Sequence, residues 1–305
     1  MIIIKHRHLF YIFSGFLILV SIGALVFYGL PLGIDFTGGT ILEVEFVGQR
    51  PSIDVLRERL GGAGFSEARL QPSGEKSLIL RLPDITEEEH QALLVGLANS
   101  GVISEIFKEK RFDSIGPVIG KELLRKAVIA IGLVILLILV FISWIFRKVS
   151  KPVSSWKYAV IAILALIHDV MIPVGLFAVL GRFFGAEVDA LFVTALLTIL
   201  GFSVHDTIVV FDRIRENLSK ASASDDFAFT VGKSLKETLG RSLATSFALF
   251  LMLASLFWFG AETTKYFALT LLVGVITGTY SSICLASPLI VTWNDFEQRR
   301  RKALT

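Results

Sequence analysis

Apolar residues along this 305-residue chain follow two rhythms. Six stretches are apolar almost without interruption over the ~20 residues that a helix needs to cross the hydrocarbon core of a bilayer. They cover residues 9–30, 127–146, 158–180, 190–211, 243–260 and 266–293. Between the first and the second, the pattern shortens to that of a water-soluble domain. Residues 40–47 alternate, with Leu42, Val44 and Phe46 on one face and Glu43 and Glu45 on the other, as in a half-buried strand. Ser52 can cap a helix whose Ile53, Leu56 and Leu60 share a side, and Gly61, Gly62 and Gly64 end it. Strand-like runs follow at 68–72 and 77–82. A Thr86/Glu89 capping box then opens a second helix bearing Leu93, Leu94 and Leu97, and a last strand covers roughly 102–112. The order βαββαβ predicts a small α+β domain of ferredoxin-like type, carried by a polytopic α-helical membrane protein with six transmembrane helices.

Composition agrees, because 53% hydrophobic residues and a mean hydropathy of +0.70 exceed what a soluble domain carries. The first apolar run follows Lys5 and Arg7 as in a signal peptide, but it is longer than such a segment and lacks a small-residue cleavage site, so a permanent helix is expected. The net charge of +3 hides a segregation. Residues 35–112 hold 13 acidic and 9 basic side chains, net −4, and the remainder 14 and 21, net +7. The excess cations follow the second span (Arg147, Lys148, Lys151, Lys157), the fourth (Arg213, Arg215, Lys220, Lys233, Lys236) and the sixth (Arg299, Arg300, Arg301, Lys302). The intervening loops offer only Arg182 and Lys265. This asymmetry predicts that both termini and the basic loops are cytoplasmic and that the small domain lies on the opposite side. Lys121, Arg125 and Lys126 run against the trend and read as an interfacial helix start. The expected division is 1–34 for the N-terminal end and first span, 35–112 for the small domain, 113–294 for the remaining spans, and 295–305 for a basic tail.

Little in the sequence suggests bond-making chemistry. Gly116 to Lys121 resembles a phosphate loop, but only three residues separate Gly116 from Gly120, and Glu122 follows the lysine where Ser or Thr would be needed. No zinc-protease, paired-cysteine or nucleophile-elbow pattern is present, and Cys284 stands alone in an apolar run, so no metal, cofactor or enzymatic activity is expected. The informative residues are charges at lipid depth. Asp169 falls about twelve residues, or roughly 18 Å, into the third span, and Asp206 sits in the fourth beside Ser203, His205 and Thr207. An ionisable group there is costly, ~3 kcal/mol even on a lenient scale, and marks an ion or proton path by default. The competing reading is a polar group satisfied by a neighbouring helix. For Asp169 a polar kink competes as well, because Pro173 removes the amide that would pair with its carbonyl. His168 and His205 could relay protons or simply bond across a helix interface. Arg241 opens the fifth span and, counted from the flanking charges, shares a depth with Asp206, so an Asp206–Arg241 pair is a candidate switch; a snorkelling anchor is the alternative. Gly274, Gly278 and Ser282 form a small-residue face for close helix packing.

Three segments carry a family resemblance: GIDFTGGT at 33–40, with Asp35, Gly38 and Gly39; IGPVIGKEL at 115–123, with Gly116 and Pro117; and GFSVHDTIVVFDRIREN at 201–217, with Asp206, Asp212 and Arg213, followed by RSLATS at 241–246. Together with six spans and a large first loop, the chain resembles the SecF protein-export membrane subunits over nearly its whole length. The resemblance implies an auxiliary role in the Sec machinery of the bacterial plasma membrane, in which the proton motive force assists translocation. It implies SecD, the translocon SecYEG, unfolded preprotein and lipids as partners, with YajC and YidC as further candidates, and no nucleic acid. It assigns Asp206 and Arg241 to a proton pathway; the reading of polar residues at lipid depth adds Asp169, His205, Thr207 and His168 as secondary candidates. The family often has Asn where this chain has His205, a titratable neighbour. Two rival readings are a resistance-nodulation-division type antiporter, which would need a second homologous half, and a structural assembly factor that conducts no protons.

Overall fold

The computed structural model describes residues 2–98, 106–148, 154–222 and 225–303. The chain divides into two compact units, one of Leu32–Val128 and one of Met1–Pro31 with Ile129–Thr305.

In the smaller unit a four-residue helix α3 (Ile34–Thr37) leads into strand β1 (Gly39–Phe46). Helix α4 (Ile53–Gly62), strands β2 (Arg69–Ser73) and β3 (Ser77–Leu82), helix α5 (Glu87–Ala98) and strand β4 (Phe107–Ile115) follow. The strands form one antiparallel sheet in the order β2-β3-β1-β4, the split βαβ arrangement of a ferredoxin-like domain. Register places Leu42 opposite Leu80 and Val44 opposite Leu78, so the apolar set of each strand falls on one face. That face is closed by Leu56 and Leu60 of α4 and Leu93, Leu94 and Leu97 of α5. Both helix starts follow their local signals. The Ser52 hydroxyl accepts from the Val55 amide, while the Thr86 amide donates to Glu89 at 2.8 Å and the Glu89 amide returns to Thr86 Oγ1 at 3.3 Å. The last strand, expected over roughly 102–112, is described as Phe107–Ile115, and residues 102–105 of that expectation lie outside those described.

Among the described residues, six helices are long and apolar enough to cross a membrane. After the short α1 (Ile2–Lys5), they are α2 (Arg7–Tyr28), α6 (Pro117–Ile145), α7 (Ser155–Phe184), α8 (Ala190–Lys220), α9 (Phe227–Phe259), and a last one built from α10 (Glu262–Ser281), a π turn (Ser282–Ala286) and α11 (Ser287–Lys302). Five of them outrun the apolar stretches that predict them. The apolar run measures only the part matched to lipid, whereas caps decide where the helix begins. Pro117 suits a first helical turn, where its missing amide has no partner to lose, so α6 starts ten residues before position 127 and carries Lys121, Arg125 and Lys126. Asp226 caps α9, its carboxylate accepting from the Ala228 amide, and draws Lys233 and Lys236 into the helix. The Arg299–Lys302 cluster is helical too. Lys151 lies outside the described residues.

The larger unit packs around an aromatic knot. Phe146 stacks on Tyr158 at 5.0 Å, and Phe211 meets both edge-on. Ile142, Ala162, Ile214, Val231 and Ile290 fill the space around them. The first span docks on the third where Gly175 of α7 takes Ser21 of α2, with no room for a Cβ. Arg7–Asp295 at 2.8 Å and Tyr11–Thr292 at 2.8 Å tie it to α11.

Candidate functional site

Asp206 and Asp169 both lie inside the helical bundle, 7% and 0% exposed. They are held by hydroxyl groups. Asp206 accepts from Ser242 of α9 at 2.5 Å and from Ser282, the first residue of the π turn. Asp169 accepts from Ser203 of α8 at 2.5 Å and from Ser281 of α10 at 2.6 Å, and its other oxygen lies 2.9 Å from His168 Nδ1. Two consecutive residues of the last helix thus serve one acid each. The local cause of the π turn is Pro288, which cannot give the amide hydrogen that an α-helix would direct to the Cys284 carbonyl. The Ser287 hydroxyl donates instead to the Ser282 carbonyl at 2.9 Å. Pro173 similarly leaves the Asp169 carbonyl without its helical donor, although α7 continues through it.

Close backbone approach explains how the last helix reaches both acids. A Cβ on Gly274 would lie 2.2 Å from Ile199 of α8, and one on Gly278 would lie 3.1 Å from the Ser203 Cβ. The small-residue face therefore seats α10 directly on α8.

The anticipated Asp206–Arg241 pair is not formed. Ser242 and Ser282 take the carboxylate, and Arg241, one residue before Ser242, is exposed. Arg241 lies only about 1.5 Å along the helix axis from Ser242, the residue that bonds Asp206. Arg241 borders a cleft of about 560 Å³ together with Asp212, Arg213, Glu216, Glu237 and Thr238. At its rim Arg213 bonds Glu216 and Glu237, each at 2.6 Å, Asn217 bonds Glu237 at 2.8 Å and Ser234 at 2.9 Å, and Asp212 pairs with Arg215 at 3.0 Å. The contacts to Ser234 and Glu237 join α8 to α9. His205 is exposed, whereas Thr207 is buried.

The two glycine-bearing segments in the smaller unit are one construction. Gly38, at φ +77°, has its missing Cβ pointed 2.6 Å from the Pro117 Cα, and a Cβ on Gly120 would lie 2.7 Å from the Gly38 amide. Gly39, at φ +129°, passes the Leu82 carbonyl as closely. Only glycine allows backbone to meet backbone here. Asp35 lies in the single turn of α3 that leads into this junction, and Gly116 and Pro117 open the helix on its other side.

Comparison with known proteins meets these same segments. The profile described as "Protein export membrane protein SecD/SecF, C-terminal" matches residues 97–295, and "SecD/SecF GG Motif" matches residues 23–49, which contain Gly38 and Gly39. The chain belongs to the SecD/SecF protein-export membrane family. It is 43% identical to the protein translocase subunit SecF of Thermobaculum terrenum, covering 96% of this chain and 94% of that one. With the protein translocase subunit SecF of Anaerolinea thermophila it shares 39% identity over 97% of this chain and 95% of the relative. A crystal structure of SecDF from Thermus thermophilus, described as a translocon-associated membrane protein, superposes with a TM-score of 0.81 at 32% identity, covering 96% of this chain. The chain spans only 38% of that SecDF polypeptide. As a member of the SecD/SecF family it is a multi-pass membrane component of protein export rather than an enzyme.

Sequence reading finds the two acids because charge inside an apolar run is conspicuous. It passes over Ser242 and Ser281, and takes Ser282 for packing alone. A signal was available. Thr230, Ser234, Thr238, Ser242 and Ser246 recur every fourth residue along α9, and all five are buried, the last bonded to Thr279 at 2.6 Å. A hydroxyl at each i+4 position marks one continuous polar stripe along the helix.

Proposed function

We propose that this chain acts beside a SecD partner in Sec-dependent export and couples proton entry at Asp206 to movement of its helices, with Arg241 as the alternative partner of the carboxylate. The observation that carries this reading is a buried acid bound by Ser242 and Ser282 across three helices, with Arg241 one residue from the first of those serines. Taking a proton removes the charge that both hydroxyls serve, and α8, α9 and the last helix are then free to shift against one another. Moving one charge through the membrane potential supplies about 2.3 kcal/mol per 100 mV, enough to bias a two-state arrangement. The SecDF likeness supports a SecD partner, and the charge asymmetry supports cytoplasmic termini with residues 35–112 on the opposite side, where emerging unfolded polypeptide would be met. No cofactor enters this scheme.

The test is completion of preprotein translocation, after ATP is exhausted, in vesicles holding the Sec translocon, SecD and this chain under an imposed proton gradient. Asp206→Asn should abolish the gradient-dependent fraction while assembly with SecD persists. Full stimulation by the variant would leave a scaffolding role. Gradient-driven transport of a small solute without SecD would favour an antiporter.

A further inference from the structure

The second carboxylate is more enclosed than the first and has an unusual neighbour. Asp169 and His168 are both 0% exposed, and the carboxylate already takes hydroxyl hydrogens from Ser203 and Ser281. Both serines bond one oxygen, Oδ2; with Asp169 charged, its Oδ1 accepts from the imidazole, whose Nδ1 lies 2.9 Å away. The neutral ring is thereby held as the Nδ1–H tautomer, with its lone pair on Nε2. Nε2 is buried and has no hydrogen-bond partner among the described residues. An unpaired buried polar atom is costly, and few are kept without a purpose.

The surroundings leave this atom free to act. The ring of Tyr280 faces the imidazole at 5.9 Å, but its phenol is turned to Ser14 at 3.1 Å and to the Phe10 carbonyl at 3.1 Å, both on the first span. Cys284 lies near Tyr280, the fourth span contributes Ser203, and Asp169 is the one carboxylate bonded to the ring. A proton arriving at Nε2 forms an imidazolium against the Asp169 carboxylate, and the dyad passes from one net negative charge to none.

We infer that His168 and Asp169 form a second proton-binding site, with His168 Nε2 the atom protonated, and that Ser281 and Ser282 couple its charge to that of Asp206. Ser281 donates to Asp169 and Ser282 to Asp206, while Ser203, on the other side of Asp169, lies one helical turn before Asp206 on α8. A shift of the last helix that releases one carboxylate disturbs the other's donor, so neither acid changes charge independently. The coupling, though not the dyad, rests on the proposed titration of Asp206.

The test is nitrogen NMR of the full chain in lipid bilayers with labelled histidine rings, titrated from about pH 5 to about pH 9, where an imidazole changes charge. The chain has five histidines, and the His168 signals are those lost in His168→Gln. In the wild type, Nδ1 should stay protonated throughout and Nε2 should gain a proton within this range. Asp169→Asn should abolish that gain, and Asp206→Asn should move its midpoint by about half a pH unit or more. A His168 ring that keeps one neutral form across the range in the wild type overturns the site, and an unmoved midpoint in Asp206→Asn overturns the coupling. A titrating His168 with gradient-driven translocation intact in Asp206→Asn would sink the proposed function and leave the dyad standing. The reverse pair of results would sink the dyad alone.

Discussion

Ser242 and Ser282 each contribute a hydroxyl to the same buried carboxylate, and they reach it from different helices. Hydrogen bonds to a charged group are worth about 1.5–3 kcal/mol, and a donor lost inside a bundle is not replaced by bulk water. Ser282→Ala is therefore expected to lower the stability of the folded chain in lipid by about 2 kcal/mol at pH values where Asp206 is ionised. The measurement is thermal or denaturant unfolding of the variant, with Ser282→Thr, which keeps the hydroxyl, expected to recover most of the loss. Equal destabilisation by both substitutions would assign Ser282 to packing. At this scale the sequence discloses acids more readily than their partners. Asp206 stands out because nothing else in its run is charged. A serine in a membrane helix looks neutral, since its hydroxyl can always return to the carbonyl four residues back, as Ser234 does to Thr230. The anticipated arginine partner fails for a related reason. Equal depth along two helices says nothing about which way a side chain faces, and Arg241 faces the cleft.

Helix existence is easy to read in this chain and helix extent is not. Six apolar runs name six helices, but Pro117, Asp226 and the π turn decide where they begin and how they continue. The π turn leaves no mark in hydropathy, and Pro288 alone could have suggested it. Packing between elements is partly legible. Gly274 and Gly278 announce close approach at a four-residue spacing, and the structure supplies the partner helix in Ile199 and Ser203. Gly274→Val would force its side chain into Ile199 and should cost about 1–3 kcal/mol, as overpacking does elsewhere. Combined with Ile199→Ala, the same substitution should cost clearly less than the sum of the two single changes, which a double-mutant cycle of unfolding free energies would register. Additive costs would mean that the two residues do not meet.

Over the whole molecule, two kinds of core are built by two sequence rhythms. The smaller unit hides Leu42, Leu80, Leu56 and Leu93 through strand alternation and helical spacing, as a soluble domain must. Its βαββαβ order was readable because the strands have an apolar face and each helix a capped start. Leu80→Ala should therefore cost the domain roughly 2–5 kcal/mol and reduce the exchange protection of β1 and β3 amides in the full chain, with amides of α8 unaffected. Loss of protection in α8 as well would mean that the two units unfold together. The larger unit offers no such alternation, and its interior is recognised by small and hydroxylated residues because lipid already satisfies the apolar ones. What the two glycine segments do for each other was hidden, since nothing in a linear sequence says that 38 and 120 touch.

The π turn at Ser282 has a mechanical consequence. One surplus residue in a helix is a dislocation in its lattice, and like a ruck in a carpet it can be passed along by exchanging a single backbone hydrogen bond, without unwinding either end. Pro288, having no amide hydrogen to exchange, blocks travel in one direction only. Each step toward the N-terminus turns the intervening residue about the helix axis and so changes which serine meets which acid. The surplus residue sits at the level of both carboxylates, so a shift of it by one position would exchange the hydroxyls that meet them.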